Sequence, residues 1–411
     1  MSFFKLRFLS KLVVIIFIFA MGITEVSYAE FTVGGAVRYN VFLRDYEDGE
    51  FGFADGQFTW DTWRLNISGV NSAGVILDFE YRFYPTFGTH FIHHGYFGYE
   101  FEDESQIHVG VHQVPFGDQT WASHSWWFSG AYYMGLEDDY DTGLKYVTNL
   151  GGLDVALAYY FQPEPAGPSP TGYEAWPSYG TGGSGRYSYD IIPKTADSEN
   201  WLFDTPDEEN TAMSVYERNQ VNARAAKTFE IGDLGASEVG LSVQYGQIYN
   251  SALDENGSHY ALAAHLDANL KKFNVKLFGI YYNHDTKWDN GDEAEVVPMG
   301  AYGSGVYPVA AEATVLNLGV SYPVAVDFGP VSSLTFYNDY TLTNKMNENF
   351  TDTQQNILGF MVTAGSVYTY FDIAMGKNQP WLTNTFGKGL GVGHPDAEWN
   401  IRYNINIGYY F

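Results

Sequence analysis

The residues best suited to binding a solute lie close together in the chain, in the segment from 116 to 139. Three tryptophans there, Trp121, Trp126 and Trp127, offer flat apolar faces on which a sugar ring can stack. The other interpretation is that they pack the segment itself, and the sequence favours it because 18% of all residues are aromatic. The same segment carries four acids that can attract cations: Asp118, Glu137, Asp138 and Asp139.

Histidines are frequent between residues 90 and 124, but their spacing does not support a metal site. His108 and His112 lie four residues apart on a predicted strand, about 13 Å at roughly 3.3 Å per residue, which is too far for one ion. His93 and His94 are neighbours and are expected on opposite faces of a strand. No G-x-S-x-G motif surrounds a serine nucleophile. We therefore expect no metal, no cofactor and no catalytic residue.

Composition limits the class of protein. The 411 residues include 49 acidic and 21 basic side chains, which gives a net charge of −28 and argues against a nucleic-acid partner, since such a partner needs a basic surface. The chain has no cysteine, so disulfides and thiolate metal sites are excluded. The mean hydropathy is −0.21 although 45% of residues are hydrophobic, so apolar and polar residues must be interleaved.

The first 29 residues have the features of a secretory signal peptide. A basic start with Lys5, Arg7 and Lys11 precedes the apolar run 12–20, and Ser27 and Ala29 supply the small residues of a cleavage site. The alternative is an uncleaved anchor, which needs about 17 or more apolar residues to span a bilayer. We predict cleavage after Ala29 and export of the domain 30–411.

From residue 31 onward the dominant pattern is alternation with a period of two. In the last predicted strand, Trp399 and Ile401 begin an apolar face, while Asn400 and Arg402 begin a polar one. Segments of this kind match the length of a tilted membrane-crossing strand. The pattern predicts an all-β fold, a closed antiparallel transmembrane β-barrel of about sixteen strands: 31–45, 57–70, 74–85, 90–101, 105–115, 140–148, 152–162, 214–228, 238–249, 258–270, 272–284, 311–322, 331–343, 354–365, 366–377 and 397–411.

The predicted connections alternate between short turns and long loops, with both chain ends on the short-turn side. This is the arrangement of an up-and-down barrel with short periplasmic turns and long outer loops. Only 86–89 is short on the long-loop side. The longest connection, 163–213, is rich in proline, glycine and acids and is predicted to be a large outer loop. Most aromatic residues are expected on the lipid-facing side of strands and in the interfacial girdles.

Arginines on the polar faces are predicted to line the pore. Barrel closure brings the last strand beside the first three, so we expect one arginine wall on the side of the barrel opposite the strands that flank 116–139. If that segment enters the lumen, its acids face the arginines and create a transverse field that favours polar solutes. The alternative is that each arginine pairs with an acid of the lumen, and the two interpretations are compatible. The predicted wall comprises Arg38, Arg64, Arg82 and Arg402, with Arg44 nearby and Arg224 on a more distant strand.

These features together resemble the porins of Gram-negative outer membranes. The resemblance rests on the signal peptide, the alternating strands and the aromatic carboxy-terminal residue Phe411. The stretch 107–117, IHVGVHQVPFG, is similar to a strand-plus-PFG segment of the phosphate-selective porin O and P family. The resemblance implies a pore constriction at 116–139, contact of Phe411 with the barrel assembly machinery and a homotrimer. Of the 21 basic residues, Lys5, Arg7 and Lys11 precede residue 30, so few remain for phosphate specificity.

Three functions are consistent with the sequence. The first is a water-filled outer-membrane channel for passive diffusion of small hydrophilic solutes and ions, with a cation preference expected from the acid excess. The second is a carbohydrate-selective porin, and the third is a surface adhesin or receptor that acts through 163–213. Acidic outer loops would contact lipopolysaccharide through divalent cations, and an outer-membrane phospholipase or protease is the enzymatic alternative that the sequence does not favour.

Overall fold

The computed structural model describes residues 31–45, 58–166, 185–194, 212–302, 306–383 and 388–411. The predicted signal peptide 1–29 and much of the predicted outer loop 163–213 lie outside these residues. No helix in the described ranges is long and apolar enough to cross a membrane.

Sixteen antiparallel strands close into a barrel, as the sequence predicts. Each predicted segment corresponds to one of them, with ends displaced by a few residues. The barrel strands are β1 (Thr32–Arg44), β2 (Phe58–Val70), β3 (Val75–Tyr84), β4 (Thr89–Glu100), β5 (Gln106–Gln113), β6 (Tyr140–Asn149), β7 (Asp154–Pro163), β9 (Val215–Glu230), β10 (Ala236–Asn250), β11 (Glu255–Leu270), β12 (Phe273–Asp285), β15 (Glu312–Phe328), β16 (Val331–Lys345), β17 (Thr353–Ala364), β18 (Val367–Lys377) and β19 (Asn400–Tyr410).

The first and last strands close the barrel. Ala36 lies opposite Tyr410 in the β1–β19 pair. The backbones of Gly35 and Phe411 add two hydrogen bonds of 3.0 and 3.1 Å at the chain end. Closure leaves no sheet edge, which a lipid bilayer requires because it offers no partner to a free backbone group. The start of β1 and Phe411 lie on the side of the short turns, because Thr32 pairs with Ser68 beside the turn after β2 and Phe411 pairs with Gly35.

The exterior of the barrel is apolar and the side facing the lumen is polar, the reverse of a soluble protein. On β10, Leu241 and Val243 are exposed, whereas the alternate residues Ser242 and Gln244 are buried. The neighbours of Val243 across the ladder are Ala223 on β9 and Leu262 on β11, so the exposed surface is continuous across strands. Such a surface is stable only against hydrocarbon, so the alternation is that of a transmembrane barrel.

Val243→Arg is expected to destabilise the barrel by about 2–4 kcal/mol, because position 243 lies near the middle of β10 on the lipid face. Denaturant titration of the barrel folded in lipid vesicles measures this cost. Phe229→Arg, at the turn end of β9, is the control and should cost about 0–1 kcal/mol. Equal costs at the two positions would contradict the assignment of the lipid-facing belt.

The lumen contains more structure than the sequence predicts. Three short strands, β8 (Asp190–Ile191), β13 (Val296–Gly300) and β14 (Tyr307–Ala310), form a separate small sheet. Tyr302, in the connection after β12, reaches the opposite wall and packs on Tyr84 of β3, with ring centres 4.9 Å apart. Residues 185–194, predicted as part of an exposed outer loop, are instead largely buried. The prediction that most aromatic residues face lipid was wrong for this lumenal cluster.

Candidate functional site

The segment between β5 and β6, residues 114–139, crosses the lumen and attaches to the far wall. It includes the 3-10 helix Gly130–Met134, which begins after Ser129, whose side chain accepts a hydrogen bond from the amide of Ala131. The Gly130 amide donates to Thr341 Oγ1 on β16 (3.1 Å), and Gln355 on β17 donates to the carbonyl of Phe128 (2.9 Å). We call residues 114–139 the lumenal segment.

The buried carboxylate of Asp339, on β16, is the main attachment point of the lumenal segment. It accepts hydrogen bonds from the amides of His124 (2.9 Å) and Ser125 (2.8 Å), and its other oxygen lies 2.8 Å from His124 Nδ1. The neighbouring strand leaves room for this contact, because a Cβ at Gly319 would lie 2.5 Å from Asp339 Oδ1 and 3.0 Å from His124 Nδ1. Glycine at 319 therefore permits the approach of the segment.

The start of the lumenal segment is held by a different part of the wall, and Arg224 belongs to this contact. Arg224 Nε donates to the carbonyl of Gly117 (2.8 Å), while Ser242 Oγ accepts from the Gly117 amide (3.0 Å). Arg224 also forms an ion pair with Glu238 at 2.5 Å. The structure thus separates Arg224 from the other predicted arginines and gives it the role of positioning the segment.

The acids of the lumenal segment do not face the arginine wall. Asp118 forms an ion pair with Lys276 of β12 at 2.7 Å. Asp138 accepts a hydrogen bond of 2.6 Å from the Tyr187 hydroxyl. Glu137 accepts from the amides of Ala122 and Ser129, and burial raises the pKa of Glu137 to about 7.

The transverse field expected between acids and arginines is therefore not the arrangement found. Asp139 lies at the far end of the segment and accepts the amide of Tyr140 at 2.9 Å. The tryptophans of the segment differ in their surroundings. The side chain of Trp121 is half exposed, its backbone has a φ of 79°, and its ring lies near Phe128, with ring centres 6.1 Å apart. Trp126 and Trp127, in contrast, face the arginines.

The other four predicted arginines line a single cavity of about 520 Å³, and Arg44 joins them. Arg44 lies directly opposite Arg402 in the β1–β19 ladder, and Arg64 lies directly opposite Arg82 between β2 and β3. Like charges in directly opposed positions destabilise a sheet. Among the described charged residues that line the cavity, the single acid is Asp61, which accepts from Arg38 Nε at 2.6 Å.

Aromatic rings form the other side of the cavity. Phe128 and Tyr132 stack with ring centres 4.2 Å apart, and Phe87 stacks on Tyr302 at 5.3 Å. Trp381 Nε1 donates to the Tyr189 hydroxyl at 3.0 Å, which fixes both rings. The aromatic residues that line this side are Phe87, Trp126, Trp127, Phe128, Tyr132, Tyr133, Tyr187, Tyr189, Tyr302 and Trp381.

Several arginines stack on aromatic rings that line the cavity, which holds their guanidinium planes in place. Arg402 lies 4.1 Å from the ring centre of Phe42 and 4.9 Å from that of Trp127. Arg82 lies 4.5 Å from the ring of Tyr187 and also forms an ion pair with Glu80. Stacking occupies the face of a guanidinium and leaves N–H groups at its edge for an acceptor. The cavity can therefore offer charged donors beside flat apolar surfaces.

Two histidine predictions need correction. His93 and His94 both point into the lumen, with their Nδ1 atoms 2.8 Å apart, because a shift in the β3–β4 register between Glu80 and Tyr81 breaks the alternation. The rings of His108 and His112 lean towards each other and have centres 6.0 Å apart, although the residues are four positions apart on β5. A carboxylate oxygen of Glu80 lies within 4.8 Å of nitrogens of His93 and His94.

Sequence reasoning missed the aromatic residues that come from other loops. Tyr187, Tyr189, Tyr302 and Trp381 lie in connections without period-two alternation, so nothing in the pattern indicates which way they face. The one signal in the sequence is the spacing of two tyrosines. Tyr187 and Tyr189 are two residues apart, so in a strand they would face the same side, and they immediately precede β8.

The closed barrel, the lumenal segment and the polar interior together define a porin fold. No protein-family model and no curated protein sequence matches the chain. Among solved structures, the chain is similar to the outer membrane channel DcaP of Acinetobacter baumannii, with 12% identity over 93% of this chain and 97% of that one and a TM-score of 0.55. It is also similar to an anion-selective porin from Comamonas acidovorans, with 14% identity, coverage of 93% and 100% and a TM-score of 0.52.

A third similar structure is the trimer form of OmpT, an outer membrane protein of Vibrio cholerae. The identity is 13%, the coverage is 93% of this chain and 99% of that one, and the TM-score is 0.50. The shared fold and the apolar barrel exterior confirm the predicted location in a bacterial outer membrane. The likeness of 107–117 to phosphate-selective porins stays a prediction.

Proposed function

We propose that the protein is an outer-membrane channel, not an enzyme, for small hydrophilic solutes, and that its lumenal cavity selects anions with a flat apolar part. The observation that carries the proposal is that five arginines, Arg38, Arg44, Arg64, Arg82 and Arg402, line one cavity in which Asp61 is the single lining acid among the described residues. Several cationic groups along one water-filled path attract anions and repel cations.

The chemistry of the two walls defines the solute. Guanidinium groups with fixed planes bind a carboxylate through paired N–H donors. The rings of Trp126, Phe128 and Tyr132 offer an apolar surface within the same cavity. A volume of about 520 Å³ is in the usual size range of small-molecule sites. An aromatic carboxylate such as benzoate has both features in one small solute.

The expected cation preference rests on the net charge of the whole chain, −28. Ion selectivity, however, depends on the charged groups beside the path that ions take through the lumen. The segment acids nearest the cavity have local partners, such as Lys276 for Asp118 and the Tyr187 hydroxyl for Asp138. Acids at the barrel surface are screened beyond about 8 Å at physiological salt. The arginine cavity therefore supports an anion preference over the cation preference.

Single-channel recording in a KCl gradient tests the proposal. The sign of the reversal potential should indicate anion preference, and benzoate should block the current at lower concentrations than its neutral analogue benzamide. A cation-selective current with no benzoate block would contradict the role of the cavity and would favour the preference expected from composition.

A carbohydrate-selective channel is the second candidate, and the flat ring of Trp126 in the cavity wall favours it. The same recordings separate the two candidates, because a sugar-selective cavity would be blocked by a neutral oligosaccharide and would be indifferent to the charge of benzoate. An adhesin acting through 163–213 is less well supported, since Tyr187 and Tyr189 of this loop are buried in the lumen.

The assembly is also part of the proposal. We propose a homotrimer, as in the OmpT trimer form with the same fold, in contact with lipid and lipopolysaccharide. Phe411, which is exposed at the end of the closing strand pair, is proposed as the contact for the barrel assembly machinery.

A further inference from the structure

A second cluster of charged groups lies away from the arginine cavity. Asp139 at the end of the lumenal segment, Asp141 on β6 and Asp190 on β8 each place a carboxylate oxygen within 4.8 Å of the others. Asp141 and Asp190 are almost completely buried, with 2% and 1% of their surface exposed. Three carboxylates so close together in a buried place repel one another strongly.

Two more acids surround this cluster. Glu164, just after β7, is fully buried, and Glu217 on β9 accepts the amide of Ile191 at 2.9 Å. Among the residues that the structure describes, the basic group beside the five acids is Arg186, whose Nε lies 3.7 Å from Asp190 Oδ2. One guanidinium does not balance five carboxylates, and burying uncompensated charge is costly.

The hydrogen bonds of the cluster leave particular oxygens unused. Gln220 donates to Asp141 Oδ2 at 2.9 Å, and the amides of Tyr187 and Ser188 donate to Glu164 Oε1 at 3.0 and 2.8 Å. Asp141 Oδ1 and Glu164 Oε2 are buried and have no hydrogen-bond partner among the described residues. Asp141 and Glu164 are thus each oriented through one oxygen, which leaves the other for a ligand.

We propose that Asp139, Asp141 and Asp190, with Glu164 beside them, bind a Ca²⁺ ion. The donors are all oxygens, which suits a hard cation and not zinc, whose usual ligands include nitrogen and sulfur. Ca²⁺ accepts six to eight oxygens in flexible geometry, whereas Mg²⁺ requires a near-ideal octahedron. Acids contributed by three separate stretches of the chain, 139–141, 164 and 190, suit the more tolerant ion.

Such an ion would join the lumenal elements to the barrel wall. Asp139 belongs to the lumenal segment and Asp190 to the small sheet, while Asp141 and Glu164 lie on and just after wall strands. Tyr187, three residues before Asp190, also packs on Arg82 in the arginine cavity. The ion would therefore fix the ring wall of the cavity as well as the loops.

Calcium binding to the full-length barrel, refolded without lipopolysaccharide and treated with chelator, tests the proposal. Titration calorimetry should show one saturable Ca²⁺ site per chain, and Ca²⁺ should raise Tm. Asp190→Asn and Asp141→Asn should each weaken binding by more than about tenfold, since even outer-shell changes cost about tenfold to hundredfold in metal affinity. Asp233→Asn, at an exposed short turn, is the matched control and should bind as the parent does.

Two results would overturn the proposal. The first is the absence of saturable Ca²⁺ binding by the unaltered chain, which would mean that the acids share protons instead. The second is binding that persists unchanged in both aspartate variants, which would place the ion elsewhere. Because the unaltered chain decides the first result, poor folding of a variant does not leave the question open.

Discussion

Arg64→Gln is expected to weaken benzoate binding in the lumen by about tenfold to hundredfold. Arg64 lines the cavity opposite Arg82, and its Nε donates to no described acceptor. A hydrogen bond to a charged group contributes about 1.5–3 kcal/mol, which corresponds to this loss of affinity. The concentration dependence of benzoate block in single-channel recordings measures the change.

Two further variants show whether charge or shape is responsible. Arg64→Lys keeps the charge but loses the planar pair of donors, so its affinity should lie between the parent and Arg64→Gln. Arg218→Gln is the control, because Arg218 binds Asn256 near the outer end of β9, away from the cavity. Equal benzoate block in the parent and in Arg64→Gln would show that this arginine does not contact the anion.

Asp339→Ala is expected to increase the single-channel conductance several-fold. The substitution removes the acceptor of the His124 and Ser125 amides and of His124 Nδ1, and each buried donor left unsatisfied costs about 1–3 kcal/mol. The lumenal segment would then leave the wall and unblock part of the lumen. Planar-bilayer recording of open-channel current measures the result.

The control for this variant removes an aspartate that holds no part of the segment. Asp254→Ala changes an exposed residue in the turn between β10 and β11, and its conductance should equal that of the parent. The barrel itself should remain folded in both variants, as heat-resistant mobility in gel electrophoresis reports. Unchanged conductance in a folded Asp339→Ala barrel would mean that the segment does not limit the current.

The barrel was predictable from the sequence because its physical cause is local. A strand between lipid and water must alternate, so pairs such as Leu241 and Ser242 show their two environments directly in the sequence. Closure then fixes the neighbours of the first strand. This is why Arg38, Arg64, Arg82 and Arg402 could be placed on one wall, and all four line the same cavity.

The lumen was less predictable because loops carry no period. The acids of 116–139 were expected to face the arginines, yet Asp118 binds Lys276 instead. Partner choice there depends on contacts more than 150 residues apart in the chain. The alternation rule also fails at His93 and His94, where one register shift turns both side chains inward.

The most direct test of the proposed function is the ion selectivity of the purified channel, measured as the reversal potential in a KCl gradient across a planar bilayer. The arginine cavity predicts a reversal potential of the sign for anion preference, displaced towards zero in Arg64→Gln. A reversal potential of the sign for cation preference, unchanged in Arg64→Gln, would contradict the proposal that the opposed arginines select the solute.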